Sequence, residues 1–310
     1  MNPAPLADLV QPSREVRDAL ASGRAVVALE STIIAHGLPR PRNLEVGRLL
    51  EDTVREGGAV PATIAVLDGT IRVGLDEAGL QRVANEDMPK LSRRDLGLAL
   101  ARGGSGATTV AATMIGAHLA GIRVFATGGI GGVHRGAETS FDVSADLDEL
   151  AQTPVAVVCA GAKSILDLPK TLEVLETKGV PVIGYGTDEL PAFYTRTSGL
   201  ALTQRADTAG EVAGILAMQE RLGFPGGAVV AVPIPPEDAL DPDTVAGWID
   251  AALAEAERQG VSGKAVTPFL LQHLADATGG KALDANVALA RNNARVAAAI
   301  ASALAGQGAS

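Results

Sequence analysis

The fold is decided by the stretch Val155-Ala-Val-Val-Cys-Ala-Gly-Ala-Lys163-Ser-Ile-Leu-Asp-Leu-Pro169. Its apolar run passes into small residues and ends at one lysine. A short apolar run bounded by a turn signal indicates a strand buried on both faces. Ligands of α/β proteins bind outside the carboxyl ends of such strands, which is where Lys163 stands. Apolar walls and a neighbouring cation can lower the pKa of a lysine there, so that the neutral amine attacks carbonyl-like carbon and forms a Schiff base. A lone lysine in an arbitrary chain is far more often a solvated residue that opens a helix.

Three further segments present polar groups where predicted strands end. Ala25–Glu30 is an apolar run closed by a carboxylate. Arg123–His134 is a strand that opens into a glycine-rich loop with a histidine, and Arg102–Val110 is a glycine-rich turn before an alanine-rich helix. An acid, an amine, a histidine and a possible anion cradle at strand ends predict an active site.

Composition limits the class of protein. The chain has 310 residues, 47% hydrophobic and only 3% aromatic, which suits parallel strands covered by helices. A formal charge of −10 argues against a nucleic-acid-binding surface. Cys159 is the only cysteine, so no internal disulfide forms, and its apolar neighbours indicate a buried residue. Without a signal-peptide pattern or a membrane-spanning run, we expect a soluble cytoplasmic protein.

Short apolar runs alternate with helical patterns, which predicts βαβ units, a mainly parallel sheet and helices on both faces. An Asp68-Gly69 turn predicts a hairpin, so the sheet should be mixed. We expect one domain over residues 1–310, because no linker or repeat divides the chain. The predicted strands are Ala25–Leu29, Ala62–Leu67, Thr70–Val73, Val124–Thr127, Val155–Cys159, Val182–Gly184 and Gly227–Val232. The predicted helices are Asn43–Glu56, Ser105–Ala120, Leu166–Gly179, Asp207–Leu222, Thr244–Arg258 and Val287–Leu304.

Two glycine-rich segments are open to more than one interpretation. Gly103–Val110 is either a nest of backbone N–H groups facing a phosphate, with Lys90 as a second cation, or a tight turn that caps a helix. Gly128–His134 lacks the third glycine of a dinucleotide fingerprint, and its backbone is better suited to close approach of a ligand.

An acidic segment, Phe141–Glu149, is the one candidate metal site. Asp142 and Asp146 could hold a hard divalent cation that keeps most of its water, or these acids could complement a helix that Ser144 caps. No Cys/His set suits zinc. His36 and His118 are interpreted as structural.

Seven segments in this order resemble the pseudouridine-5′-phosphate glycosidase family, which includes the IndA-like proteins, over roughly residues 13 to 305. They are Ala28-Leu-Glu-Ser-Thr-Ile-Ile-Ala-His-Gly-Leu-Pro39, Arg102-Gly-Gly-Ser-Gly-Ala-Thr-Thr-Val110, Phe125-Ala-Thr-Gly-Gly-Ile-Gly-Gly-Val-His-Arg-Gly-Ala137, Phe141-Asp-Val-Ser-Ala-Asp-Leu147, Val158-Cys-Ala-Gly-Ala-Lys-Ser-Ile-Leu-Asp167, Gly263-Lys-Ala-Val-Thr-Pro-Phe-Leu-Leu271 and Ala285-Asn-Val-Ala-Leu289.

The resemblance implies an α/β/α sandwich, a homotrimer, a divalent cation (typically Mn2+) and the reversible conversion of pseudouridine 5′-phosphate and water to uracil and ribose 5-phosphate. It implies Glu30 as proton donor, Lys163 as nucleophile and Asp142 as metal ligand. Further positions that match the family's substrate-binding residues are Lys90, Val110, Ser144, Ala145 and Asp146, with Thr127, His134 and Asn286 near the base.

The chemistry accounts for this set of residues, because a carbon–carbon glycosidic bond offers no heteroatom lone pair for a leaving-group proton, unlike the bond that ordinary glycosidases cleave. Without the resemblance, Lys163 would also suit a class I aldolase-type lyase acting on a phosphorylated sugar. A non-catalytic sensor of sugar phosphates or nucleotides is the alternative from another class, and it leaves the pairing of Glu30 with Lys163 unexplained.

Overall fold

A computed structural model describes residues 6–261 and 266–307. Residues 262–265 lie outside the described residues, and with them Gly263 and Lys264 of one family-like segment. The described residues form one mixed sheet with helices on both sides, as the sequence predicts. The strands are β1 (Val10–Pro12), β2 (Val26–Glu30), β3 (Val60–Leu67), β4 (Thr70–Val73), β5 (Lys90–Leu91), β6 (Gly106–Thr108), β7 (Val124–Ala126), β8 (Ala156–Cys159), β9 (Val182–Tyr185), β10 (Gln204–Ala206) and β11 (Ala228–Ala231).

The helices range from single turns to a 27-residue helix near the C-terminus. They are α1 (Leu6–Leu9), α2 (Arg14–Ala21), α3 (Thr32–His36), α4 (Arg42–Glu56), α5 (Glu77–Asn85), α6 (Arg93–Ala101), α7 (Val110–Ala120), α8 (Ala137–Ser140), α9 (Ala145–Gln152), α10 (Leu168–Thr177), α11 (Ala209–Arg221), α12 (Pro242–Arg258), α13 (Val266–Ala277) and α14 (Lys281–Gln307), with a 3₁₀ turn at Pro236–Asp238. No helix in the described part of the chain is long and apolar enough to cross a membrane.

The strand order β1-β4-β3-β2-β7-β8-β11-β9-β10 places β2 at a switch point. The chain proceeds from β2 to β3 on one side and later returns to β7 on the other. Every residue of β2, β3, β7, β8 and β11 is buried, as expected for strands covered on both faces. A switch point leaves a crevice at the carboxyl ends of the strands, so the topology locates the site there.

The predicted hairpin is confirmed, because β3 and β4 pair antiparallel. Asp68 and Gly69 both have positive φ, 51° and 74°, which is the requirement of a type I′ turn.

The helix predicted from Ser105 is wrong at its start. Residues Gly106–Thr108 form β6, which pairs with β3 and β5, and α7 begins at Val110 after the cap residue Thr109. The Thr108 hydroxyl donates to the Ile64 carbonyl (2.6 Å) and the Thr108 amide donates to Ser31 Oγ (2.8 Å), so tertiary hydrogen bonds override the local helix preference. The short strands β1, β5 and β10 are likewise absent from the prediction.

A turn after β8 directs the chain toward Lys163. Gly161 has φ 82°, and a Cβ atom built there would lie 2.3 Å from the Pro191 carbonyl oxygen. Only glycine combines this left-handed conformation with such a close approach of another backbone. The backbone of the lysine segment is therefore held by a position that accepts no side chain.

We predict that Gly161→Ala lowers the free energy of unfolding by about 2–5 kcal/mol, because it adds both backbone strain and a steric clash. Gly179→Ala is the matched control: its φ is 71°, but no atom lies within 4 Å of the added Cβ, so the loss should be about 1–2 kcal/mol. Urea denaturation measures both variants. Equal losses would show that the contact with Pro191 is unimportant.

Candidate active site

Three functional side chains meet because their strands are neighbours. Glu30 is the last residue of β2, Thr127 follows β7, and Lys163 follows β8. β7 pairs in parallel with both β2 and β8, so all three carboxyl ends lie at one edge of the sheet. The sequence predicted each strand end, and the sheet order brings them together.

The glycine-rich loop after β7 continues the pairing with the segment after β8. The Ala160 amide donates to the Gly128 carbonyl (2.9 Å), the Ile130 amide to Gly161 (3.1 Å), and the Lys163 amide to Ile130 (3.1 Å). These bonds hold the backbone of Lys163 in register with the loop. The loop thus acts as the last part of the sheet.

Helix α14 fixes the same loop from the other side. The buried Asn293 side chain donates to the carbonyls of Thr127 (2.8 Å) and Gly128 (3.3 Å). Asn286, about two turns earlier, is buried against Gly128, where a Cβ atom would lie 3.3 Å from Asn286 Oδ1. The position of Asn286 therefore depends on the small residue Gly128 in the loop.

A cleft at this edge of the sheet encloses about 470 Å³, including its open mouth. Five of the predicted site residues line it together with apolar and small residues. The lining residues are Glu30, Thr32, Ile33, His36, Gly37, Lys90, Thr127, Gly128, Gly129, Lys163, Phe193 and Asn286.

Glu30 is the buried acid of the cleft, with only 7% of its surface exposed. Its carboxylate accepts a short hydrogen bond from the Thr127 hydroxyl. Burial raises the pKa of Glu30 above its ordinary value, and the charge of Lys163 and the Thr127 bond oppose that rise only in part. The acid therefore retains its proton to higher pH than a solvated glutamate.

The remaining predicted residues form a second group behind the glycine loop, outside the lining of the cleft. Asp146 is buried, and its carboxylate accepts hydrogen bonds from the amides of Ala111 in α7 (2.9 Å) and Gly131 in the loop (2.8 Å). Ser144 caps α9, and a Cβ atom on Gly131 would lie 2.2 Å from its Oγ. Asp146 thus fastens the loop to the first turn of α7.

The other members of the second group are placed by the same loop. The His134 amide donates to the carbonyl of the half-buried Asp142 (3.0 Å), while Val110 and Ala145 are the first residues of α7 and α9. Among the described residues, no three His, Cys, Asp or Glu side chains are grouped to hold a metal. A single carboxylate at Asp142 fits only a hard cation that keeps water or substrate oxygens as its other ligands.

Gly103 and Gly104 do not belong to the cleft. They turn the chain between α6 and β6, and the Gly104 carbonyl accepts from the Gly69 amide (2.8 Å). The glycines therefore form a tight turn, but this turn leads into β6 and does not cap a helix, because Thr109 caps α7. The phosphate-nest interpretation stays a prediction.

The cleft also contains residues that were not identified from the sequence, among them His36 and Phe193. His36, interpreted as structural, lines the cleft, and Phe193 has a left-handed backbone (φ 65°) with its ring 2.7 Å from the position of a Cβ on Gly129. The spacing of His36 from Glu30 was a usable signal, since one short helix joins them. Phe193 lies in a loop that gives no such signal. Cys159 is fully buried, and burial raises the pKa of its thiol to about 12.

Comparison with known proteins identifies close relatives along nearly the whole chain. Residues 15–303 match the family of indigoidine synthase A like proteins. A pseudouridine-5′-phosphate glycosidase of Paracoccus denitrificans (strain Pd 1222) is 60% identical over 300 residues, covering 96% of this chain and 99% of the relative. One of Solibacter usitatus (strain Ellin6076) is 60% identical over 288 residues, covering 93% and 96%.

Two solved structures share the fold. The prealnumycin C-glycosynthase AlnA, in complex with ribulose 5-phosphate, superposes with a TM-score of 0.90 at 43% identity and covers 97% of this chain and 98% of its own. An indigoidine synthase A-like protein from Thermotoga maritima superposes with a TM-score of 0.87 at 35% identity and covers 96% and 97%.

We predict that Glu30→Gln changes the pH dependence of stability. The pKa of Glu30 is raised in the folded state, so the unfolded chain loses the Glu30 proton first as pH rises above about 4.5. The free energy of unfolding of the wild type therefore falls with pH until the folded-state pKa is reached. The variant lacks this loss, and its stability relative to the wild type should rise by at most about 1.4 kcal/mol per pH unit across that window. Urea denaturation at a series of pH values measures the difference.

Thr127→Val supplies the matched comparison, because it removes a bond that lowers the pKa of Glu30 and should extend the same window to higher pH. A stability difference between Glu30→Gln and the wild type that does not vary with pH would contradict the assignment.

Proposed function

This chain belongs to the family of indigoidine synthase A like proteins, and we propose that it cleaves the C–C glycosidic bond of pseudouridine 5′-phosphate. The products are uracil and ribose 5-phosphate, and the reaction is reversible. Relatives at 55–60% identity named pseudouridine-5′-phosphate glycosidase support the substrate. The bound ribulose 5-phosphate of the solved C-glycosynthase supports a pocket for a five-carbon sugar phosphate.

One geometric observation carries the proposal: a buried carboxyl and a lysine line the same cleft, at the carboxyl ends of β2 and β8, the two strands that flank β7. The raised pKa of Glu30 suits a proton donor, because a carboxyl that holds its proton to higher pH than a solvated glutamate can deliver it during the reaction. Lys163 supplies the nucleophile, provided that it reacts as the neutral amine.

We propose that the reaction begins with opening of the ribose ring. Glu30 protonates the ring oxygen, the C1′–O bond breaks, and the nitrogen of Lys163 bonds to C1′ and then gives up a proton. The carboxylate of Glu30 accepts that proton. Thr127 positions this carboxylate through the hydrogen bond between their side chains. After this step the sugar is an open chain joined through C1′ to both the lysine and uracil C5.

The carbon–carbon bond breaks in the second stage. Uracil C5 takes the proton that Glu30 received from the lysine nitrogen, the C1′–C5 electron pair returns to the uracil ring, and the lysine nitrogen lone pair forms an iminium with C1′. Water adds to the iminium carbon, and ribose 5-phosphate leaves as the amine is restored. The balance is one water consumed, with no oxidant or reductant needed.

The other predicted residues take substrate-binding roles in this proposal. Lys90 and Asn286 lie in the cleft wall and offer a cation and an amide to the substrate. We assign the second group to the phosphate side of the substrate, because Asp146 binds the backbone amides of the glycine loop and of the first turn of α7. His134, Val110, Ser144, Ala145 and Asp146 belong to this set.

Asp142 would hold the divalent cation, Mn2+ by the family resemblance. A carboxylate oxygen suits a hard cation, which would complete its shell with water and substrate oxygens. When bound, the cation would supply positive charge that offsets the substrate's phosphate.

We further propose one domain over residues 1–310, a homotrimer and a cytoplasmic location. One continuous sheet supports the single domain. The lone, buried Cys159 is compatible with a reducing compartment. The trimer rests on the resemblance to the family.

We predict that Lys163→Ala lowers the rate of uracil release from pseudouridine 5′-phosphate by at least about 10³-fold, because the covalent step is lost. Lys178→Ala is the control, since Lys178 pairs with Asp148 on the surface. Uracil is followed by its ultraviolet absorbance. Borohydride added during wild-type turnover should leave a ribose-phosphate adduct on Lys163.

Activity of Lys163→Ala within about tenfold of the wild type would overturn the nucleophile assignment. An adduct on Lys90 would reverse the roles of the two lysines. Cleavage of a phosphorylated sugar without any uracil release would favour the aldolase-type lyase, and stoichiometric binding without turnover would favour the sensor.

We predict that Asp142→Asn weakens Mn2+ binding by at least about tenfold, because it removes the only protein carboxylate assigned to the cation. Asp148→Asn is the control, as Asp148 is exposed and paired with Lys178. Calorimetric titration with Mn2+ measures both. An unchanged affinity in Asp142→Asn would remove this ligand from the proposal.

A further inference from the structure

His36 is the last residue of α3, the short helix that begins two residues after Glu30. Thr32 and His36 are four residues apart, which places them on the same face of the helix. Both line the cleft. The segment that contains Glu30 therefore also places His36 in the wall of the same cleft.

The buried Nε2 atom of the His36 ring has no hydrogen-bond partner within the described part of the chain. The neutral tautomer that carries its proton on Nδ1 leaves a lone pair on this unpaired Nε2.

Burial, followed by the positive charge of Lys90, lowers the pKa of His36. The ring is therefore neutral at physiological pH, and Nε2 acts as a hydrogen-bond acceptor. Neither the proton transfers nor the covalent step described above uses this atom.

An unpaired buried acceptor is uncommon and costs stability, since proteins pair the great majority of their buried polar atoms. Thr32, on the same face of α3, donates its hydroxyl to the Thr108 carbonyl and so does not serve Nε2. A ligand in the cleft that brings an N–H or O–H group would satisfy Nε2. A site built in this way discriminates strongly against ligands that lack the donor.

We propose that His36 determines substrate specificity by accepting a hydrogen bond at Nε2 from an N–H or O–H group of the bound substrate. This inference rests on the proposed function. The substrate offers such donors on the uracil ring, as imide N–H groups, and on the ribose, as hydroxyls. The shared chemistry is a neutral donor that meets a neutral imidazole acceptor.

The synthetic direction of the reaction separates the two sources of the donor, because uracil and ribose 5-phosphate are then independent substrates. KM for each is measured at saturating concentration of the other, for the wild type, His36→Phe and His36→Gln. Phe keeps a ring without an acceptor, while the amide oxygen of Gln restores an acceptor. His118→Phe is the matched control, since His118 lies exposed on α7 away from the cleft.

We expect His36→Phe to raise KM for one of the two substrates by about five- to thirtyfold, with kcat changed less than about threefold. His36→Gln should recover most of that loss, and His118→Phe should match the wild type. A raised KM for uracil assigns the donor to the base, and a raised KM for ribose 5-phosphate assigns it to the sugar.

Unchanged KM values in His36→Phe would overturn the inference while leaving the proposed function intact. A fall in kcat alone that Gln does not rescue would also overturn it, because the ring would then only support the fold. If His36→Phe does not fold, His36→Ala answers the same question. Absence of turnover in the wild type would instead overturn the proposed function.

Discussion

The parallel pairing of β7 with its neighbours β2 and β8 is the constraint on which the site depends. Strand ends carry Glu30 and Lys163, but side chains at two strand ends meet only if a common neighbour holds those strands in register. The glycine loop extends this register beyond the strands through amide bonds to the lysine segment. A one-residue slip in that pairing would turn every side chain of the strand to the other face.

Other parts of the chain pack so closely against the glycine-rich loop after β7 that some of its positions accept no side chain. Asn293 and Asn286 hold it from α14, and Asp146 and Ser144 hold it from α9. The contacts of Asn286 and Ser144 need the absence of a side chain on the loop, at Gly128 and Gly131. The loop is therefore held from two sides despite its glycines, and a loop held in this way keeps the reacting groups in place.

The electrostatics of the cleft follow from its burial. Removing Glu30 from water raises its pKa, and Lys163 and Thr127 reduce that effect without cancelling it. His36 is kept neutral by its surroundings, with Lys90 contributing. An acid with a raised pKa, a neutral imidazole and lysine side chains in one cavity are a set suited to moving protons around a sugar phosphate.

Much of the fold was predictable from the sequence, because runs of apolar residues indicate which strands are buried. The apolar runs at Val26–Glu30 and Ala156–Cys159 and the Asp68-Gly69 hairpin were identified, as were Glu30 and Lys163 at strand ends. The family resemblance, not the pattern, supplied the detailed roles. Strand β6 was missed, because the pairing of Ala107 with Ala65 and the bonds of Thr108 to distant residues outweigh a local helix preference.

The sequence by itself determined which segments are buried strands and which polar groups end them, since hydrophobic period and turn chemistry are properties of neighbours in the chain. Only the tertiary structure decided that three of those ends adjoin, that Asp146 fastens a loop to a helix, and that His36 lines the cleft and has an unpaired nitrogen. Those facts depend on contacts between residues far apart in the chain, and local patterns carry no record of which distant segment becomes the partner.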